Sequence, residues 1–553
     1  MKMNSVKILL PDKYGEDIEY ALREAEFFLP LAGVSVGGGE WVLSLGNTSL
    51  AKENAVKAAN DLYDDGFVIK TVGKVWFIVA PDERGVLFGV YEWLKDLAGL
   101  EVYASDEFEI GKFTLKAVDK TINPSLCYRS RAWYVWNKYD KQIFNRLRYT
   151  DPKWITFAHT MLSILPKSKY YAEHPEYYAT PMAQQLCFTN EEMTDAFIKE
   201  ALNRYITPEN LEGRRTSLFF VGQEDNAFFC QCEKCKAAYA KYGLSGTMLL
   251  FVKKVAKAVN EHVKKYYPDK IVKTLTFAYG QTNNLPVDEN YKPIDESLIF
   301  EKNMGIMITV GTHDMDESRI KRNERYIKAC KALGGEPYLW SYDSVFDDEL
   351  IYLETFDCMD FYNKAFVANG TVMHYDQGHY SANISFDEMS NYVRAKKMWD
   401  ISLDKDALIR DFVRAFYKEG AKQVFTYYEE MRELQKSWKF DASLFVRTSP
   451  KLKSTEAFPK DKLICFTDIL TDGVNAAKDK KVKMRIARER LTPLYLLVEL
   501  YGEELDKKFL KNLIDTFSQD VLENNVAYYA EHGPENYNKD MHAKITQWRA
   551  LLI

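Results

Sequence analysis

Between residues 125 and 400, short apolar or β-branched runs alternate with segments of helical spacing, and this alternation restricts the possible folds more than any other feature. Eight strand candidates fall at 128–136, 154–159, 185–189, 217–223, 273–279, 305–311, 337–342 and 371–376, with helical patterns between most of them. The clearest unit runs from Ser217–Gln223 through a helix over 246–265 to Lys273–Tyr279, with Leu249, Val252, Ala256, Val259 and Val263 on one helical face. A strand, a crossover helix and a second strand pair in parallel, because an antiparallel hairpin would need only a short turn. Eight such strands predict an α/β fold with a (β/α)8 TIM-like barrel over 119–400.

The flanks read differently. Residues 1–118 predict a small α+β domain: helical spacing in 15–32, a strand at Trp41–Leu45, and two strands at 66–71 and 75–80 joined at Gly73-Lys74. The next helix carries Val86, Leu87, Val90, Trp93, Leu94 and Leu97 on one face. A polar stretch from Lys112 to Pro124 suits a boundary. Residues 401–553 predict a C-terminal helical domain, with apolar residues at helical spacing in 405–437 and 482–527 and an irregular stretch at 439–462.

The formal net charge is -6, without the clustered lysines and arginines that nucleic acid or an anionic membrane surface would require. No stretch approaches the roughly 18 apolar residues of a membrane span. The first residues, MKMNSVKILLPDKYGED, lack an apolar leader core and a small-residue cleavage site. A cytoplasmic protein is therefore expected, or a secreted one whose leader was removed. Eight cysteines in 553 residues are too few and too scattered for a disulfide framework. Aromatic residues make up 14% of the chain, and flat rings stack on the apolar faces of sugars as readily as they fill large cores.

In such barrels reactive groups gather at the C-terminal ends of the strands. The predicted ends carry Arg129, Arg131, Trp133 and Trp136; His159; Gln223, Glu224, Asp225 and Asn226; Tyr279; Trp340, Tyr342 and Asp343; and Tyr375, Asp376, Gln377 and His379. Carboxylates and flat aromatics dominate, and phosphate-binding glycine loops are missing. Glycoside cleavage needs this combination: an acid for the leaving oxygen, a second group to stabilise C1, and rings to hold the sugar. Glu224-Asp225 is the sharpest pair, since adjacent carboxylates repel, which suits holding one protonated as a general acid. An ordinary acidic loop explains the same two residues. His159 serves equally as a core histidine, and inward arginines at 129 and 131 would meet a carboxylate or sugar hydroxyls. Cys230, Cys232 and Cys235 follow directly; zinc would need a fourth ligand, which Cys187 could supply, and otherwise these are reduced thiols packing a loop. No cofactor is expected.

Five segments in order resemble a bacterial family filed as domain of unknown function 4838, over nearly the whole chain. They are 64–70 with 82–103, which is similar to the small domain preceding the barrel in hexosaminidases and α-glucuronidases; His174–Ala179 with Gln185–Asn190; Gly222–Asn226 leading into Cys230, Cys232 and Cys235; Tyr338–Tyr342; and Gln377-Gly378 with Ala395–Asp400 downstream. That family is tied to glycoside hydrolase family 163 endo-β-N-acetylglucosaminidases and, more distantly, to α-glucuronidases and β-hexosaminidases. The resemblance implies catalytic Asp225 and Glu224: Glu224 orienting the substrate's 2-acetamido group and Asp225 protonating the leaving oxygen. It also implies that Arg129 binds sugar hydroxyls. One departure stands out, because the family often has Asn at the position of Glu224, and hexosaminidases place Asp before Glu.

The leading expectation is thus a glycoside hydrolase acting on N-acetylglucosamine-containing glycans by a retaining, substrate-assisted mechanism. Substrate contacts are expected from Arg129, His159, Asn226, Tyr279, Trp340, Tyr342, Asp343 and Asp376. Two alternatives stand beside it: an inverting α-glucuronidase-like enzyme pairing Asp225 with Asp343 or Asp376, and a non-catalytic glycan-binding barrel. The expected partner is a carbohydrate, with no nucleic acid and no membrane; linkage, exo or endo action and oligomeric state are not readable from the sequence.

Overall fold

The computed structural model describes residues 4–132, 141–150, 152–311, 315, 317–379, 383–440, 450–530 and 540–553. The chain opens with a six-stranded mixed sheet of β1 (Asn4–Leu9), β2 (Val34–Val36), β3 (Trp41–Leu45), β4 (Phe67–Val72), β5 (Val75–Val79) and β8 (Lys120–Ile122), in the order β2-β1-β3-β5-β4-β8. A two-stranded ribbon of β6 (Glu101–Ala104) and β7 (Glu107–Glu109) precedes β8. The hairpin expected around Gly73-Lys74 is there: β4 and β5 run antiparallel with Val72 opposite Val75, and Gly73 turns the chain at φ +59°. The helix Glu83–Ala98 buries Val86, Leu87, Val90, Trp93, Leu94 and Leu97, the face its spacing predicts.

Seven strands follow: β9 (Tyr128–Ala132), β10 (Lys153–Thr156), β11 (Thr216–Phe220), β12 (Ile271–Ala278), β13 (Met304–Thr309), β14 (Glu336–Tyr342) and β15 (Met373–Gln377). All neighbours are parallel, in the order β10-β11-β12-β13-β14-β15-β9. The first of these strands thus pairs with the last, and the sheet curls on itself. Its concave face forms one apolar cluster: Tyr128, Leu218, Phe220, Leu275, Phe277, Met307, Tyr338, Trp340, Met373 and Tyr375, with Trp154 packed against it. Phe157, just past β10, stacks on Trp340 of β14 at 5.4 Å between ring centroids, so the β10 edge reaches across the interior to the far side of the curled sheet. Among the described residues β9 and β10 are not paired, and the sheet is an incompletely closed barrel.

One expected strand is not formed. Residues 185–189 make a loop held by a single bridge between Tyr178 and Leu186, and β10 pairs directly with β11. The side chains explain the difference. Gln185 turns its amide to the loop after β11, and Cys187 turns its thiol to other cysteines, so both residues bridge neighbouring loops. The helix expected at 246–265 extends back to Glu233, with a break at Gly243 (φ 71°), and its predicted apolar face is buried. The C-terminal region is helical as expected, over Lys405–Tyr417, Ala421–Lys436, Lys460–Ala476, Lys480–Tyr501, Lys507–Glu523 and Met541–Ala550. No described helix is long and apolar enough to cross a membrane.

Candidate active site

Successive strand residues face opposite sides of a sheet. On the curled sheet this places Trp340, Tyr342, Tyr375 and Phe277 on the concave side, and Ser341, Asp343, His374 and Asp376 on the convex side. The concave face ends in an aromatic floor at the C-terminal mouth. Phe157 lies nearly parallel to Trp340 (interplanar angle 11°) and 4.8 Å from Tyr375. Trp340 donates its indole N–H to Gln377 Oε1 at 3.2 Å. Phe277 meets Phe220 at 4.5 Å and Trp340 at 5.9 Å, and Tyr342 lies 6.4 Å from Trp340.

The loop Gly222–Asn226 rises from β11 at the rim of this floor. At Gly222 the loop after β10 packs tightly on the end of β11: a Cβ there would sit 2.1 Å from Ala158 O. Its carbonyl accepts from the N–H groups of Thr160 and Met161, at 3.0 and 3.2 Å. His159 contacts the Gln223 carbonyl through Nδ1 at 2.5 Å. A carbonyl only accepts, so Nδ1 carries the proton and Nε2 keeps the lone pair in the neutral ring. Gln223 is buried, donating to Tyr279 O and accepting from Thr282.

Glu224 is half-buried and accepts the Leu162 N–H on Oε1 at 2.8 Å. Its backbone is clamped by Gln185, which accepts from Glu224 N at 3.1 Å and donates to Glu224 O at 2.8 Å. Asp225 is exposed at the rim, with Oδ1 receiving the Tyr279 hydroxyl at 3.1 Å. Asn226 braces the loop: its Oδ1 accepts from Gln185 and Phe228 N, and its Nδ2 donates to Gln184 O. His159 completes the group, 5.3 Å from the Phe277 ring and 6.2 Å from Tyr279.

Three expected contacts lie elsewhere. Arg129 is fully buried on the convex side. It donates to Asp65 at 2.7 Å, to Thr150 and to the carbonyls of Leu126, Cys127 and Arg148, and its guanidinium lies over Phe88 and Trp399. Its partners join the N-terminal sheet region to the curled sheet, which leaves it no route to a sugar at the mouth. The reason is register: Tyr128 takes the concave side, so residue 129 takes the other. Asp343 and Asp376 are likewise convex and buried. Asp343 receives Thr355, Ser390 and Arg394, the last at 2.5 Å; Asp376 receives Ser341 at 2.6 Å and Arg394 at 3.2 Å. One guanidinium thus balances both carboxylates behind the sheet. Trp133 and Trp136 lie outside the described residues, as does the side chain of Arg131; His379 is half-buried just past β15.

Two floor residues were absent from the candidate set, Phe157 and Phe277. The signal for both was available, because each stands two positions before a candidate, His159 and Tyr279. Gln377, two positions after Tyr375, shares that concave face and meets Trp340 there. The four candidate metal-ligating cysteines, Cys187, Cys230, Cys232 and Cys235, are brought together, with all four sulfurs within 4.8 Å of one another.

A family model described as domain of unknown function (DUF4838) matches residues 104–430. No curated protein matches the chain. Among solved structures, the chain is similar to a GH138 enzyme targeting pectin rhamnogalacturonan II, at 12% identity and TM-score 0.43, covering 99% of this chain and 98% of that one. It is similar to CpGH84B at 13% identity and TM-score 0.43, covering 98% and 96%. It is also similar to the Flavobacterium johnsoniae chitobiase at 11% identity and TM-score 0.38, covering 100% and 96%. Likenesses with TM-scores this low decide neither fold nor activity.

Proposed function

The chain belongs to the DUF4838 family, and we propose that it is a glycoside hydrolase that cleaves N-acetylglucosamine-containing glycans with retention, through substrate-assisted chemistry at the C-terminal mouth of the curled sheet. We read that sheet as a TIM-like barrel lacking the strand at 185–189, and the tie to family 163 endo-β-N-acetylglucosaminidases as part of the same proposal. One observation carries the reading. Of the four strand-end carboxylates Glu224, Asp225, Asp343 and Asp376, Asp225 alone is exposed, and it stands beside half-buried Tyr279 at the rim of the aromatic cluster.

In this scheme the sugar lies against the half-buried rings at the mouth, Phe157, Tyr279 and Tyr342, which cover buried Trp340. Asp225 donates a proton to the glycosidic oxygen as the C1–O bond breaks. The substrate's own acetamido oxygen attacks C1 from the opposite face, forming an oxazolinium ion in place of a glycosyl-enzyme. Glu224 has Oε1 anchored on the Leu162 N–H, and Oε2 is the atom that would receive the acetamido N–H and orient its carbonyl. The Tyr279 hydroxyl steadies Asp225, which then takes a proton from the water that opens the oxazolinium ion. Retention follows from two inversions at C1. The inverting alternative wanted Asp343 or Asp376 as a second carboxylate in the mouth; Arg394 holds both on the other face.

The test is Asp225→Asn on two substrates. General acid catalysis is worth about 100–10,000-fold. A glycan with a sugar leaving group should lose activity in that range, while an aryl glycoside with an acidic phenol, which needs little protonation, should lose far less. Equal rates for variant and wild type on the glycan would remove Asp225 from the reaction.

A further inference from the structure

We propose that Cys187, Cys230, Cys232 and Cys235 form a closed, structural zinc site that staples the loop over 178–190 to the loop carrying Glu224 and Asp225. The four sulfurs come from two separate segments, and all lie within 4.8 Å of one another. Tetrahedral zinc with Zn–S bonds of about 2.3 Å places its sulfurs about 3.8 Å apart. Cys187 lies 3.8 Å from Cys232 and 3.7 Å from Cys235. None of the four is in a disulfide.

The surroundings match a thiolate-bound metal. Three of the four cysteines are buried, and the cluster is packed by Ala179 and Tyr239. Three donors point at the sulfurs: Thr180 N–H at Cys230 and Cys235 N–H at Cys232, each at 3.5 Å, and the Thr189 hydroxyl beside Cys235 at 3.2 Å. Such outer partners disperse the charge that four thiolates leave on the site. Cys232 also caps the long helix Glu233–Tyr266, which fixes the position of its sulfur. Four sulfur ligands in tetrahedral array specify zinc, or a single iron, over harder cations. With all four positions filled by protein, the metal has no open place for water or substrate, so its role is structural.

The staple reaches the candidate catalytic loop through Gln185, two residues before Cys187. Gln185 bonds to the backbone of Glu224 in both directions and to the Asn226 side chain. That positioning role rests on the proposed hydrolase reading; the metal site does not.

The experiment measures metal in the purified full-length chain by elemental mass spectrometry, after expression in medium supplied with both zinc and iron. The expected result is one zinc per chain, released in step with mercurial titration of the thiols. Cobalt(II) in its place should give the thiolate charge-transfer and intense visible bands of a tetrahedral sulfur site. Cys187→Ser should lose the metal, whereas Cys330→Ser, remote from the cluster, should keep it. If Cys187→Ser does not fold, the wild-type metal content and cobalt spectrum still decide. Wild-type chain that carries no metal and takes up neither zinc nor cobalt would overturn the site. Iron at one per chain would overturn the assignment to zinc. A full zinc complement in a chain that hydrolyses no glycan would leave the site standing and refute only its link to catalysis.

Discussion

Replacing Arg129 by Gln should cost folding stability and leave the chemistry nearly intact. The guanidinium is fully buried and paired at 2.7 Å with Asp65, whose side chain is itself 1% exposed. Removing one partner of a buried pair costs about 3–5 kcal/mol, because the other charge is left uncompensated. Three backbone carbonyls, of Leu126, Cys127 and Arg148, lose a donor in addition, and an orphaned buried polar group costs about 1–3 kcal/mol. Gln restores part of this, so a net loss of about 4 kcal/mol is expected. Proteins of this kind have about 5–15 kcal/mol in total. The variant should therefore fold at low temperature and unfold at much lower urea. Equilibrium urea unfolding gives the loss, and kcat/KM of the folded variant should stay close to wild type. Pairing it with Asp65→Asn should cost less than the sum of the two single variants, because the contact is shared. An unchanged urea midpoint together with a raised KM would refute the reasoning and return Arg129 to the substrate.

Two further outcomes follow from the geometry. Gly222→Ala would force a methyl to within 2.1 Å of Ala158 O, so the loop bearing His159 and Leu162 must move; activity should fall by more than the about 1–3 kcal/mol of stability lost to overpacking, measured by kcat/KM beside thermal unfolding. Glu92 is buried, which pushes its carboxyl up, but Arg148 and Lys120 outweigh this and hold it down to about 2 from 4.5. Its stabilising contribution, about 3 kcal/mol, is complete above pH 4.5 and is lost as the pH falls through 2, so Glu92→Gln should be less stable at pH 6 and flatter across the acid range in urea titrations.

Periodicity made most of the architecture legible. Seven of the strand candidates and the long helix after β11 lie where the apolar spacing puts them; the helix and β11 to β15 bury most of their apolar residues, while β10 is only half-buried. The segment 185–189 looked like a strand for its apolar Leu186 and Phe188, yet its polar atoms bridge to neighbouring loops, a tertiary preference that local pattern does not encode. The candidate site divided along the same line. Asp225, Tyr279 and His159 follow from their place at strand ends. Asp343 and Asp376 occupy strand ends too, but on the alternate face, and Arg129 stands near the start of β9, not its end; a one-residue shift in register reverses which side chains reach the concave face. Buried Arg394 stands 18 positions beyond Asp376, on the helix Asp387–Trp399, so its claim on both carboxylates could be seen only once the chain was folded.

The most direct measurement of the central claim is the anomer first released from a β-linked N-acetylglucosaminyl glycan, followed by proton NMR before mutarotation. A retaining, substrate-assisted enzyme working through Asp225 releases the β-hemiacetal first, and Asp225→Asn slows its appearance by about 100-fold or more. An α-hemiacetal appearing first, or no hydrolysis of such glycans by the wild-type chain, would contradict the account.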